Sequence, residues 1–270
     1  MQRPARQSLL GSHMIEITLN PTRKNASYFY VWMATACALL AFGAFAPTYW
    51  LQLPAGTFIG PPLLHVHGLL FSSWTLLLLS QSLLAANGRM QHHLAWGLVG
   101  ISLATALVFT GLAATVLSIK QGLASGYGDR SLSFSIMPVS AIGLFAGFFI
   151  CAIANIRNPE AHKRLMILAT LSLLQAAMAR VFFALIVGVG PGLRPGIGPP
   201  PPLAIGIVPS LLLEIIIIVG MVHDWRTRGK PHRAWVIGAV VMTAVIALRV
   251  PIAGTSAWLG FANALTHVAG

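Results

Sequence analysis

Along this chain the apolar residues fall in long unbroken runs separated by short polar connections, with none of the strict alternation that marks a strand. Seven runs, roughly 28–50, 62–86, 93–118, 132–156, 162–188, 203–223 and 234–260, have the length needed to cross a bilayer, about 20 residues each. A membrane barrel would show alternating segments instead. The pattern therefore predicts an all-α fold, a polytopic transmembrane helical bundle of about seven spans occupying residues 28–260. Residues 1–27 form an N-terminal segment and 261–270 a C-terminal tail. The stretch MQRPARQSLLGSHM looks foreign to the rest, its GSHM reading as a cloning remnant.

The connections alternate in charge. One set carries Arg23 and Lys24, then Arg89, His92 and His93, then Arg157, Lys163 and Arg164, then Arg226, Arg228, Lys230 and Arg233. The other set has only Lys120, Asp129 and Arg130, and later Arg194. Lys and Arg collect on the cytoplasmic side of spanning proteins. The N-terminus is thus expected in the cytoplasm and the C-terminus outside, in a bacterial cytoplasmic membrane. The proline- and glycine-rich run 188–203 interrupts helix and makes a stiff external connection.

Composition agrees: 56% of residues are hydrophobic, 8% are charged and the mean hydropathy is +0.79. A soluble domain carries about 25% charged residues, so the ordinary water-facing surface is missing. The net charge of +12 lies in the connections and orients the chain, with no basic arm or RNA-binding motif to imply nucleic acid. Cys37 and Cys151 both sit in apolar runs, too few for a disulfide framework.

Charged residues inside the runs carry the chemistry. A charge at the bilayer centre costs at least about 2.5–3.5 kcal/mol, and such groups face the bundle interior and pair. Arg180, Glu214 and Arg249 are expected at outer-half or middle depth in the fifth, sixth and seventh spans. One carboxylate against two guanidinium groups leaves a surplus positive charge. Two readings follow: a buried lock tying three helices together, or a pocket in which Arg180 and Arg249 meet a small anionic or carbonyl-bearing ligand while Glu214 compensates one of them.

His65 and His67 open the second run in PPLLHVHGLLFSSW. Helical positions two apart point about 200° away from each other, so the two cannot chelate one metal. His67 shares a face with Trp74 and Gln81, which makes His67 and Trp74 candidates for the pocket wall. The inner hairpins end in similar fashion, GRMQHHLAWG, NPEAHKRLM and RGKPHRAW, each placing histidine just before an outward-running helix. Anchoring at the headgroup level accounts for this echo; duplicated hairpins would also produce it.

Several chemistries are excluded. No span holds a lysine in its core for a retinal Schiff base, the histidine clusters of a di-iron site are missing, and neither a phosphate-binding glycine loop nor a GxSxG nucleophile occurs. Five acids in all leave Glu214 without a carboxylate partner for acid–base work, so nothing points to an enzyme. Haem b would need two facing histidines, with His93, His162 and His223 at the inner helix ends as candidates. Copper would draw on His67 with Met137 and Met178, and a haem on the outer side would have to pair His67 with His65 or His267.

The runs H-V-H-G…W…Q, N-G-R-M-Q-H-H-L-A-W-G, N-P-E-A-H-K-R-L-M-I-L-A-T and V-H-D-W-R-T-R-G-K-P-H resemble a group of bacterial polytopic membrane proteins without assigned function. The hairpin with His65, Trp74 and His93 also resembles small membrane proteins that help assemble haem-copper oxidases. The first likeness implies a fold and no activity. The second implies, as the alternative to ligand binding, sensing or transport, a redox or oxidase-assembly role with haem, quinone or copper. The expected partners are membrane lipid and a small anionic ligand; a place as a subunit of a larger membrane complex is the third expectation.

Overall fold

The computed structural model describes residues 21–187 and 199–268. Residues 1–14 and most of the loop 188–203 lie outside the described residues. The elements are α1 (Pro21–Phe45), continued by a π-helical turn over Ala46–Trp50, α2 (Pro62–Ala86), α3 (Met90–Ala124), α4 (Asp129–Phe134), α5 (Ile136–Ala154), α6 (Pro159–Val187), α7 (Ile207–Arg228), α8 (Arg233–Ala253) and α9 (Ser256–Val268). There is no strand among the described residues. Seven of these helical stretches are long and apolar enough to cross a membrane. The chain is an all-α, multi-pass membrane protein.

Helix is the form these runs must take, since in hydrocarbon every backbone N–H and C=O has to be satisfied within its own segment. Tight turns join them at one end. Gly88 (φ 70°) lets α2 reverse into α3, and Gly229 (φ 76°) closes α7 by donating its N–H to the Trp225 carbonyl, 2.9 Å; both conformations are costly for any residue with a Cβ.

Sidedness within the bundle follows from packing. α6 is the central helix, packed on α1, α5, α7 and α8, with Ile167, Leu168, Leu171 and Leu174 fully enclosed. Large apolar side chains also cover the periphery: Trp32, Leu98, Phe109 and Leu185 are all more than two-thirds exposed. That exposure fits a protein solvated by lipid rather than water. Helices approach closely where glycine allows it. Gly220 of α7 lies under the Trp235 ring of α8, and Gly238 of α8 under Leu168 of α6.

The expected spans hold, with three departures. The third helix runs on to Ala124. The fourth breaks at Ser135, separating α4 from α5. The seventh stops at Ala253, and the expected C-terminal tail is largely helix α9, which packs on α3 and α4. All the short turns bearing Arg89, Arg157 and Lys230 lie at one end of the bundle, the basic end; Lys120, Asp129 and Arg130 lie at the other, the far end.

Candidate functional site

Arg249 is enclosed in the protein, 2% exposed, on the stripe of α8 that also buries Trp235, Gly238, Met242, Ile246 and Ala253. These positions recur at three- and four-residue steps, so a helix that buries one buries all. The guanidinium bonds to three other helices. Its Nε donates to Ser140 Oγ on α5 (2.8 Å), Nη1 to Ser210 Oγ on α7 (3.3 Å) and Nη2 to Gln175 Oε1 on α6 (2.6 Å). Each serine has already spent its own proton on its helix, Ser140 on the Ile136 carbonyl and Ser210 on the Gly206 carbonyl. Their lone pairs are thereby turned toward the arginine.

All three partners are neutral. The four ion pairs among the described residues involve Glu160 or Asp224, none of them Arg249. Three of the five guanidinium N–H groups are used, and the amide nitrogen of Gln175, beside Nη2, is buried with no partner. A cationic group and a loose amide donor thus meet inside the far half of the bundle, with no carboxylate bonded to either among the described residues. Ser140 also borders a groove of about 680 Å³ between α5, α6 and α8, floored by Gly143, Gly147, Leu165 and Gly238. The groove runs toward the basic end, where Asn155, His232 and Arg233 border it.

The other candidate residues are dispersed. The Arg180–Glu214–Arg249 ion-pair lock does not form. Glu214 is half-buried on the flank of α7 and takes its hydrogen bond from Thr243 Oγ1 of α8, 2.7 and 2.9 Å from its two oxygens. The reason is helical phase: Ser210, Leu213, Ile217, Gly220 and Asp224 form the buried stripe of α7, and Glu214 stands about 80° off its centre. Arg180 donates to its own helix at the Ala176 carbonyl (2.9 Å) and lies 4.2 Å over the Phe45 ring, with its Nε buried and unpartnered. His67 Nδ1 is 3.1 Å from Thr110 Oγ1 on α3. Trp74 is sealed in the core, donating to Thr170 (3.1 Å) and packed edge-on against Phe145 and Phe149. It supports α2 on α5 and α6.

His65 is held by Tyr49 Oη (3.0 Å) with Phe58 against its ring, and His223 stacks on Phe29 at 3.6 Å. Met178 packs against the main core and Met137 against Gly206. Among the described residues no three His, Cys, Asp or Glu side chains converge as a metal-binding group. The His93 and His162 rings make an edge-to-face contact at the basic end, centroids 6.4 Å apart and planes at 82°.

Sequence reasoning missed the largest polar network. Arg164, 1% exposed, grips the equally buried Asp224 through Nε (2.8 Å) and Nη2, and reaches the Glu160 carboxylate with Nη1 (2.7 Å). Lys163 (2.7 Å) and Arg228 complete the shell around Glu160, and Tyr30 lies beneath Lys163. Asp224 also accepts from the His232 N–H (3.1 Å), and His232 Nδ1 caps α8 by accepting from Ala234 N (3.1 Å). Burial holds the His232 imidazole below its usual pKa, with Arg164 and Arg228 adding to the effect. The signal was present: Asp224 falls on the Ser210–Leu213–Ile217–Gly220 stripe, and Arg164 in phase with Leu168, Leu171 and Gln175.

No family model matches the chain, and no curated protein or solved structure matches it.

Proposed function

We propose that this membrane protein binds a lipid-soluble small molecule whose anionic or carbonyl-bearing head is held by Arg249, in a binding, sensing or transport role. The observation that carries the reading is the Arg249 guanidinium: buried, held by three neutral groups, and without a carboxylate. Intramembrane charges mark ligand and ion pathways when no internal counter-charge is supplied. The unpartnered Gln175 amide offers a second donor to the same oxygen-rich head. The groove supports an amphiphile rather than a free metabolite, because its walls are apolar along most of their length and its far-half end is Ser140, the residue bonded to Arg249 Nε. In this reading Arg180 is a neighbouring cation, shielded by Phe45, and Glu214 takes no part. The basic end faces the cytoplasm of a bacterial cell.

The test is direct. Protein purified in mild detergent is assayed for thermal stabilisation by dodecanoate and, as a control of equal length, dodecanol; lipids that copurify are identified by mass spectrometry. Stabilisation by the carboxylate but not the alcohol, lost in Arg249→Ala and weakened in Gln175→Ala, is the expected result. A wild-type protein that neither responds nor carries any molecule depleted in Arg249→Ala removes the reading. Cysteine labelling at Ser125→Cys and Asn158→Cys, in a background without Cys37 and Cys151, checks the orientation.

A further inference from the structure

The groove between α5, α6 and α8 is polar at both ends and apolar between them. At its far-half end stands Ser140, which accepts from Arg249 Nε. At its basic end stand Asn155, His232 and Arg233. Ser140 on α5 and Asn155 at the C-cap of that helix are fifteen residues apart, a distance a helix covers in about 22 Å. The hydrocarbon of a bilayer is about 30 Å thick, and the groove therefore follows most of one crossing.

The floor between the two ends is open. Gly143, Gly147 and Cys151 succeed one another at one-turn steps along α5, and all three are exposed. A Cβ built on Gly143 or Gly147 would meet nothing within 4 Å. The wall contributed by α8 is Ile237, Val241 and Val245. A volume of about 680 Å³ is within the range of pockets that hold one small-molecule ligand. An apolar trough of this length fits an extended alkyl chain.

The basic end supplies recognition groups of its own. Arg233 is exposed and takes part in none of the four ion pairs among the described residues. The carboxylates of this end, Glu160 and Asp224, are already bonded to Lys163, Arg164 and Arg228. His232 accepts from Ala234 N at Nδ1, so its neutral ring carries the proton on Nε2 and can donate it. A free guanidinium and an imidazole N–H at one end of a groove suit the oxygens of an anionic group.

A ligand with one head leaves one end of the groove unmatched. A simple fatty chain headed at Arg249 puts its methyl end among Asn155, His232 and Arg233. A phospholipid headed at Arg233 puts a methyl end beside Ser140 and leaves Arg249 without an anion. A chain with an acidic group at each end satisfies both. Extended chains gain about 1.25 Å per carbon, from bonds near 1.5 Å at tetrahedral angles, so about 16 to 18 carbons bridge the groove.

We infer that the groove binds a long unbranched chain of about 16 carbons carrying an anionic group at each end, one directed to Arg249 and the other held by Arg233 and His232. The inference rests on the reading of Arg249 as a head-group site and names the class of molecule that site takes.

The full-length protein in mild detergent is titrated with hexadecanedioate, hexadecanoate and octanedioate, and binding is read as thermal stabilisation. Cys151 gives a second reading, because a chain lying in the groove slows its alkylation by N-ethylmaleimide, while Cys37 is fully buried. The preference for hexadecanedioate over hexadecanoate is compared between proteins, which cancels the unequal partition of the two chains into detergent. We expect that preference to fall about fivefold or more in Arg233→Ala and to persist in part in Arg233→Lys. Arg249→Ala should weaken both long chains, octanedioate should bind weakest, and both long chains should protect Cys151. A preference unchanged by Arg233→Ala overturns the two-ended ligand and leaves the Arg249 reading standing. Octanedioate binding as well as hexadecanedioate, or long chains that stabilise without protecting Cys151, also overturns it. Protection of Cys151 by phosphatidylglycerol that is indifferent to Arg249→Ala would give the groove to a bilayer lipid instead. Failure of both long chains to bind removes the Arg249 reading and this inference with it.

Discussion

Arg164 and Asp224 are each 1% exposed and are joined by two parallel hydrogen bonds that tie α6 to α7 at the basic end of the bundle. Fork-to-carboxylate pairing of this kind is the strong form of the ion pair. Burial makes it a structural liability as soon as one member is removed, because the other is left as an uncompensated buried charge. We expect Asp224→Ala to destabilise the protein by about 3–5 kcal/mol, read as unfolding in mixed detergent. Arg164→Met with Asp224→Leu should recover most of that loss. A double variant no better than the sum of its parts would show that the pair is not the relevant unit.

The relation between Glu214 and Arg249 gives an expectation of the opposite kind. The carboxylate bonds to Thr243, and the guanidinium to Ser140, Ser210 and Gln175. A double-mutant cycle with Glu214→Gln and Arg249→Gln should be additive within about 0.5 kcal/mol. A coupling above about 1 kcal/mol would reinstate the ion pair.

Close approach of helices at glycine is testable as well. A Cβ on Gly220 would stand 2.7 Å from two atoms of the Trp235 ring, which is itself fully buried and has no room to yield. Gly220→Ala should cost about 1–3 kcal/mol. Gly43→Ala, where the new Cβ meets nothing within 4 Å, should be neutral or gain up to about 1 kcal/mol from helix propensity. Equal losses at both sites would contradict the packing of α7 on α8.

His232 adds a pH dependence. Its Nδ1 must stay unprotonated to accept from Ala234 N, and its pKa is lowered in the folded protein, by burial first and by Arg164 and Arg228 second. The unfolded chain then binds the proton more readily, so stability should rise with pH across this titration. The contribution is complete above the unfolded value of about 6.5. It is lost as pH falls through that value toward the lower folded one. His232→Asn keeps an N-cap oxygen and should flatten this part of the pH profile of thermal unfolding. An unchanged slope would assign the dependence to other groups.

The amino-acid sequence by itself determined the seven membrane-crossing stretches and their approximate ends, because a run of apolar residues in hydrocarbon has no other way to satisfy its backbone. The run over 62–86 became α2 with the same ends, and Gly88 and Gly229 fall where the chain must reverse. It also singled out Arg249 as a charge out of place. Only the tertiary structure decided the rotation of each helix, and so which polar groups meet. In water an apolar stripe announces the buried side of a helix. In a bilayer the lipid-facing side is as apolar as the protein-facing one, and rotation has to be inferred from the few polar residues and the small ones. Glu214 lies one residue from Leu213 in sequence, yet that single step turns it from the core stripe to the flank beside Thr243. Arg249, Gln175 and Ser210, far apart in sequence, share buried stripes and come together. Equally, His93 and His162, in separate hairpins, come into edge-to-face ring contact at 6.4 Å only because α3 and α6 pack into the same end of the bundle.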